Sequence, residues 1–183
     1  MLRRVVIALA LLAACDSIPL TRDAKVQSFD TVAAALERDD DAKVLEFDKA
    51  IPRVDLLGMK TWGIARTRHQ QGGKRMAVMI PLVDEGWTKD DPVAVWVRLD
   101  ASTHDLDDPR MQKKIASFVK AAEAGTLRVN ATQTLPAEVD MDGTNAFTIG
   151  AKRAMLKHGL VSPVGAVLAT WPAREKGPLR LKE

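Results

Sequence analysis

Tyrosine is absent, cysteine occurs once, and aromatic residues make up only 4% of the 183-residue chain. A lone cysteine, Cys15, leaves no intrachain disulfide and no thiolate metal cluster, so the fold must rest on packing. No Gly-x-Ser-x-Gly elbow, His-Glu-x-x-His pair or phosphate loop occurs. Ser17, Ser28, Ser102, Ser117 and Ser162 have no recognisable catalytic partners nearby. A spanning helix needs roughly 20 apolar residues. The run Val5–Ala14 is about half that, and Asp16, Arg22 and Asp23 follow too soon to extend it.

What the amino terminus does contain is ordered. Arg3 and Arg4 precede the apolar run, and Leu12-Ala13-Ala14 leads directly into Cys15. A basic n-region, a short apolar segment and small residues before a scission point form a secretion signal. The Leu-Ala-Ala-Cys ending resembles the lipobox of bacterial lipoproteins. That resemblance covers residues 1–15 and implies a Cys15 thioether bearing diacylglycerol, an acyl chain such as palmitate on the new amino terminus, and a domain facing the periplasm from the cell envelope. One acyl chain binds a membrane only marginally, whereas two or three hold it firmly. Asp16 follows the inner-membrane retention pattern of enteric lipoproteins, with the outer membrane as the alternative.

The expected organisation is a signal peptide over 1–14, a lipidated cysteine and polar tether over 15–27, and a single domain over 28–183. Removing Arg3 and Arg4 from a chain of net charge +3 leaves 25 basic and 24 acidic side chains. Such a balance gives no electrostatic case for nucleic acid. The expected partners are the membrane, through the anchor, and an envelope protein.

The pattern of the domain predicts an α+β fold: a mainly antiparallel sheet, able to curl into a partial barrel, with two or three helices. Asp30–Arg38 reads as a first helix, with Ser28 or Asp30 as cap and Val32, Ala35 and Leu36 on one side. Strands are expected at 43–47, 54–57, 60–68, 75–83 and 93–99, with 60–83 forming a hairpin through Gln71-Gly72-Gly73-Lys74. In the segment 93–99, Val93, Val95, Val97 and Leu99 alternate with Ala94, Trp96 and Arg98. Asp107-Asp108-Pro109 opens the clearest helix, whose stripe Met111, Ile115, Phe118, Val119 and Ala122 ends at Gly125. Strands follow at 127–129 and 132–139, the second interrupted by Pro136. A helix over 145–158 ends at Gly159 despite the unfavourable Gly150, and a strand over 164–170 closes the domain.

Asp140-Met141-Asp142-Gly143-Thr144 resembles the first motif of haloacid-dehalogenase phosphatases. In that family the first aspartate attacks phosphorus, and magnesium binds near both. No aspartate follows Asp142, and the roughly 40 remaining residues cannot build the parallel sheet with its crossovers. The segment therefore reads as a turn that leads into a helix. Asn145–Leu160, with Arg153-Ala154, resembles the helix of peptidoglycan-binding domains of the outer-membrane-protein-A type, although its Asn-to-Arg spacing differs by one residue.

His104, with Asp105, Asp107 and Asp108, could hold a divalent ion, but the carboxylates are better explained as capping the following helix. His69 lies by the hairpin turn and His158 at a helix end. Trp87, beside a charged loop, and Trp96, on the polar side of its strand, are candidate interface anchors, although a tryptophan so placed is more often a core residue covered by a helix. No catalytic group and no cofactor is assigned. The favoured function is a non-catalytic binding or assembly module. A hydrolase or metal enzyme using His104 and a peptidoglycan binder are the alternatives.

Overall fold

The structure is a computed structural model that describes residues 24–64 and 73–172. Cys15, Asp16, His69 and the tail beyond Pro172 lie outside the described residues. Ala24–Arg174 forms one compact unit. Among the described residues it is an α+β fold of eight strands in a mostly antiparallel sheet that is not closed into a barrel. The strands are β1 (Val26–Phe29), β2 (Val44–Phe47), β3 (Ile51–Pro52), β4 (Gly58–Ile64), β5 (Gly73–Val83), β6 (Val95–Ala101), β7 (Leu127–Thr134) and β8 (Val167–Thr170); the helices are α1 (Pro109–Glu123) and α2 (Ala146–His158). Their spatial order is β1-β2-β7-β8-β6-β5-β3, with β4 also paired to β5. The first strand starts at Val26, inside the segment read as tether.

Strand β5 organises this sheet because it is long enough to serve two partners on one side. Val83 and Leu82 pair with Ile51 and Pro52, while Met79 back to Gly73 pairs with Gly58 through Ile64. The expected hairpin is therefore present. Gly73 and Lys74 already belong to β5, and Gln71-Gly72 lie outside the described residues. On its other side β5 pairs with β6 from Met76 to Leu82. β1 lies parallel to β2, and parallel neighbours need a crossover of about a dozen residues or more. The stretch 30–43 supplies it. The helix expected there is a short 3-10 turn, Ala33–Glu37, that buries Ala35 but leaves Leu36 exposed. Asp84, from the loop after β5, fixes its start by accepting from Val32 N at 2.6 Å and Ala33 N at 3.2 Å. The expected strand over 54–57 is also a 3-10 turn, Val54–Leu56. The two strands expected after α1 are one strand, β7, kinked by an irregularity between Ala131 and Gln133.

Both faces of the sheet are covered. Side chains alternate along a strand, and Val78, Ile80 and Leu82 of β5 with Val95, Val97 and Leu99 of β6 pack in one core with Met111, Ile115 and Phe118 of α1. Met79 and Trp96 belong to a second core with Phe147, Ala151 and Ala154 of α2. Sandwiching explains why Met76–Val83 is buried without a break. It also decides between the two readings of Trp96, which alternates as expected and is fully buried as a core residue under α2, so it is not an interface anchor.

Local signals set the helix ends. Asp108 accepts from Arg110 N at 2.9 Å, Pro109 occupies the first turn, and Gly125 has φ +99°. Asn145 accepts from Phe147 N at 3.1 Å and Thr148 N at 3.4 Å, and Gly159 exits at φ +69°. Two carboxylates tie such features to pH. The Arg110 guanidinium, then the Arg110 amide, hold Asp108 well below the usual carboxylate range. Arg128, then Ser28, lower Glu46 on β2. Both groups bind protons less readily folded than unfolded, where carboxylates titrate near about 4. Their stabilisation is complete above that value and is lost as pH falls through it toward the depressed folded values. The urea midpoint is expected to fall between pH 5 and pH 3, and to fall less in Arg110→Gln and Arg128→Gln variants. A flat midpoint over that interval would contradict the assignment.

Candidate functional site

The helix α2 lies unusually close to the sheet. A Cβ placed on Gly58 would meet Gly150 O at 2.1 Å and Ala154 N at 2.7 Å, and one placed on Gly150 would meet Met79 Cγ at 2.5 Å. The absence of two side chains therefore lets a helix backbone rest on a strand backbone. Where the strand begins and the helix ends, their flanks diverge into an open groove of about 430 Å³, lined by Leu57, Gly58, Met59, Arg153, Leu156 and Lys157. Leu156 is 68% exposed. Arg153 Nη1 donates to the Met59 carbonyl at 3.1 Å, which holds its guanidinium against the strand.

This groove runs beside a sheet edge. Among the described residues β5 is the only strand that pairs with β4. The two chain segments that build it carry charge of one sign. No Asp or Glu occurs from Leu56 to Val83 or from Gly143 to Arg174, whereas Lys60, Lys74, Arg75, Lys152, Arg153 and Lys157 do. The preceding acid, Asp55, is paired with Arg53 at 2.7 Å. Apolar floor, cationic rim and unpaired edge together suit recognition of an extended, acidic chain more than bond-breaking chemistry.

The sites foreseen from sequence are dispersed. His104 is exposed on the loop before α1. Asp105 Oδ1 accepts from Asp107 N at 3.0 Å, and Asp108 caps the helix, so two of the neighbouring carboxylates serve the turn and the helix start. Among the described residues no group of three or more His, Cys, Asp or Glu is placed to hold a metal ion. Asp140 and Asp142 are exposed, and Asp140 accepts from Asp142 N at 3.0 Å, the turn that the sequence implies. Arg153, which carried the resemblance to peptidoglycan-binding helices, sits on the groove rim.

Trp87 is half-buried, with the Arg53 guanidinium 5.6 Å from its ring, and its buried Nε1 has no hydrogen-bond partner among the described residues. Trp96 donates through Nε1 to Ser162 Oγ at 3.1 Å inside the second core, which removes it as a surface anchor. Sequence reading missed the groove, because it needs two segments about a hundred positions apart to meet. The visible signal was the pair of acid-free stretches. It also missed Arg98, whose guanidinium lies 4.5 Å from the Phe147 ring and 5.6 Å from that of Trp62 while Nε bonds Asp100 at 2.8 Å.

Comparison with known protein families, with curated proteins and with solved structures finds no match to this chain.

Proposed function

We propose that this chain is a lipid-anchored cell-envelope protein whose α+β domain faces the periplasm and works as a non-catalytic binding or assembly module. The observation that carries the reading of the domain is the groove between β4 and α2, with an apolar floor, cations on its rim and, among the described residues, an unpaired strand edge beside it. Open, largely pre-formed concavities with a few placed charges are the usual form of a recognition site. The anchor rests on Arg3, Arg4, the run Val5–Ala14 and the lipobox-like approach to Cys15. Asp16 favours the inner membrane. Among the described residues no helix is long and apolar enough to cross a membrane, and a tether of two or three acyl chains needs none.

The test is metabolic labelling with radioactive palmitate in a bacterial host, followed by detergent extraction and cross-linking. Label is expected in the full-length protein and absent from Cys15→Ser, which should also move from the membrane pellet to the soluble fraction. Unlabelled protein that begins at another residue would remove the anchor. Cross-linking that captures the same envelope partner in wild type, and loses it when the groove is altered, supports the module.

A further inference from the structure

We propose that the edge of β4 beyond Met59, unpaired among the described residues, is a strand-addition site for an extended acidic peptide, one apolar side chain of which seats in the groove beside Leu57, Met59 and Leu156. This rests on the binding-module reading and names the chemistry of its partner.

An edge strand presents unpaired N–H and C=O groups along one side, and an incoming chain that pairs with them gains main-chain hydrogen bonds, while pockets beside the edge select its side chains. The two sides of this sheet differ in that respect. At one end β1 has only four residues, Gln27 Oε1 accepts from Asp39 N at 2.9 Å, and Lys25 bridges Asp39 and Asp41 at 2.7 and 2.9 Å. The crossover thus ties its side chains to the start of that short strand. β4 has seven residues, Thr61 and Gly63 along it are exposed, and α2 lies over one of its faces.

Three features converge on the occupant. An open concavity of about 430 Å³, bordered by Leu57, Met59 and a mostly exposed Leu156, offers apolar surface to a side chain. Arg153 and Lys157 line it, and Lys60, Lys74 and Arg75 continue the positive charge along the hairpin. The segments that build the groove contribute no carboxylate; Lys60 Nζ donates to the Gly143 carbonyl at 3.5 Å, in the turn that carries Asp140. Complementary charge steers encounter and sets register, and a guanidinium held in place is a ready fork for a carboxylate. The strand edge requires an extended backbone, the groove an apolar residue, and the rim flanking Asp or Glu. A flat anionic bilayer could meet the charge but could neither pair with the edge nor fill the concavity.

A phage-displayed library of random decapeptides, panned against the purified full-length chain, tests this directly. Enrichment of sequences with one Leu, Ile, Val or Phe flanked by Asp or Glu is expected. A synthetic peptide of the enriched sequence, followed by fluorescence anisotropy, should bind at least tenfold more weakly to the Arg153→Glu/Lys157→Glu variant. Alternate N-methylation of its backbone should abolish binding. Both substituted residues are exposed, and should that variant unfold, Leu156→Asp gives the same reading from the groove floor.

No enrichment over the double variant, enrichment without acidic residues, or undiminished binding of the N-methylated peptide would overturn the proposal. So would phosphatidylglycerol vesicles bound through Arg153 and Lys157 while peptides are not. Loss of peptide binding with palmitate still on Cys15 removes this inference alone, and peptide binding without palmitate removes the anchor alone.

Discussion

Replacing Gly58 with alanine is expected to destabilise the domain by about 3 kcal/mol or more, at the severe end of overpacking substitutions. The added methyl would lie 2.1 Å from the Gly150 carbonyl oxygen and 2.7 Å from Ala154 N. Those are backbone atoms of α2, so relief requires moving the helix rather than turning a side chain. Moving it opens the second core, since Phe147, Ala151 and Ala154 ride on α2. Gly63, on the same strand, is different: a methyl added there would find nothing within 4 Å. Gly63→Ala is expected to leave stability unchanged or to raise it by up to about 1 kcal/mol, because alanine only relieves the backbone entropy that glycine loses in a strand. Urea unfolding of the pair checks the claim. Equal midpoints would mean that α2 does not rest on β4 at this point. Because the groove lies at the same junction, Gly58→Ala is also expected to disturb it, which is why that substitution is unsuited to testing recognition.

Removing the indole of Trp96 is the second large effect. Trp96→Ala is expected to cost about 3–5 kcal/mol, the range for a fully buried aromatic truncated to alanine, and to lower the thermal midpoint by roughly 10 °C. The side chain is 0% exposed and packs in the second core. Its Nε1 donates to Ser162 Oγ, which in turn donates to the Val93 carbonyl at 2.6 Å. That short chain pins the loop after α2 to the approach of β6. Trp96→Phe retains most of the apolar burial but removes the donor to Ser162, an expected loss of about 1–2 kcal/mol. The difference between the two variants separates packing from hydrogen bonding. If Trp96→Ala costs under about 1 kcal/mol in thermal or urea unfolding, the face that it occupies is not a core, and α2 covers it less than the structure shows.

Trp96 illustrates where reading along the chain stops. The alternation from Val93 to Leu99 correctly placed Trp96 opposite the aliphatic residues of β6. Alternation reports which residues share a face, and it cannot say whether that face meets water. Arg98 made the side look polar, yet its guanidinium is taken up by Asp100 and by the rings of Phe147 and Trp62. Gly150 shows the converse. Inside a helix it counts against the element, by up to about 1 kcal/mol relative to alanine. Its reason for being there is Met79 across the interface, which no local rule can see. The parallel β1, hidden in a polar segment, and the two 3-10 turns were likewise set by partners remote in sequence: Val44–Phe47 for the strand, Asp84 for the first turn and the Pro81 carbonyl, accepting from Arg53 N at 3.0 Å, for the second.

The candidate site divides along the same line. Its charge was legible, because a stretch without Asp or Glu is a property of composition. Its concavity was not, because Leu57–Met59 and Arg153–Lys157 become neighbours only when α2 is laid on β4.

What the chain dictated locally was the set of elements whose energy is settled within a few residues. α1 runs from a capping Asp108 and Pro109 to a left-handed Gly125, α2 from Asn145 to Gly159, and the hairpin of β4 and β5 joins strands adjacent in sequence. Helix caps, turn conformations and side-chain periodicity depend on near neighbours, so the order of residues suffices to specify them. Strand order, the covering of both sheet faces, the burial of Trp96 and the groove beside β4 come from long-range burial of apolar surface, which chooses among many compatible arrangements of the same elements. That choice depends on which distant surfaces fit, and it exists only once they have met.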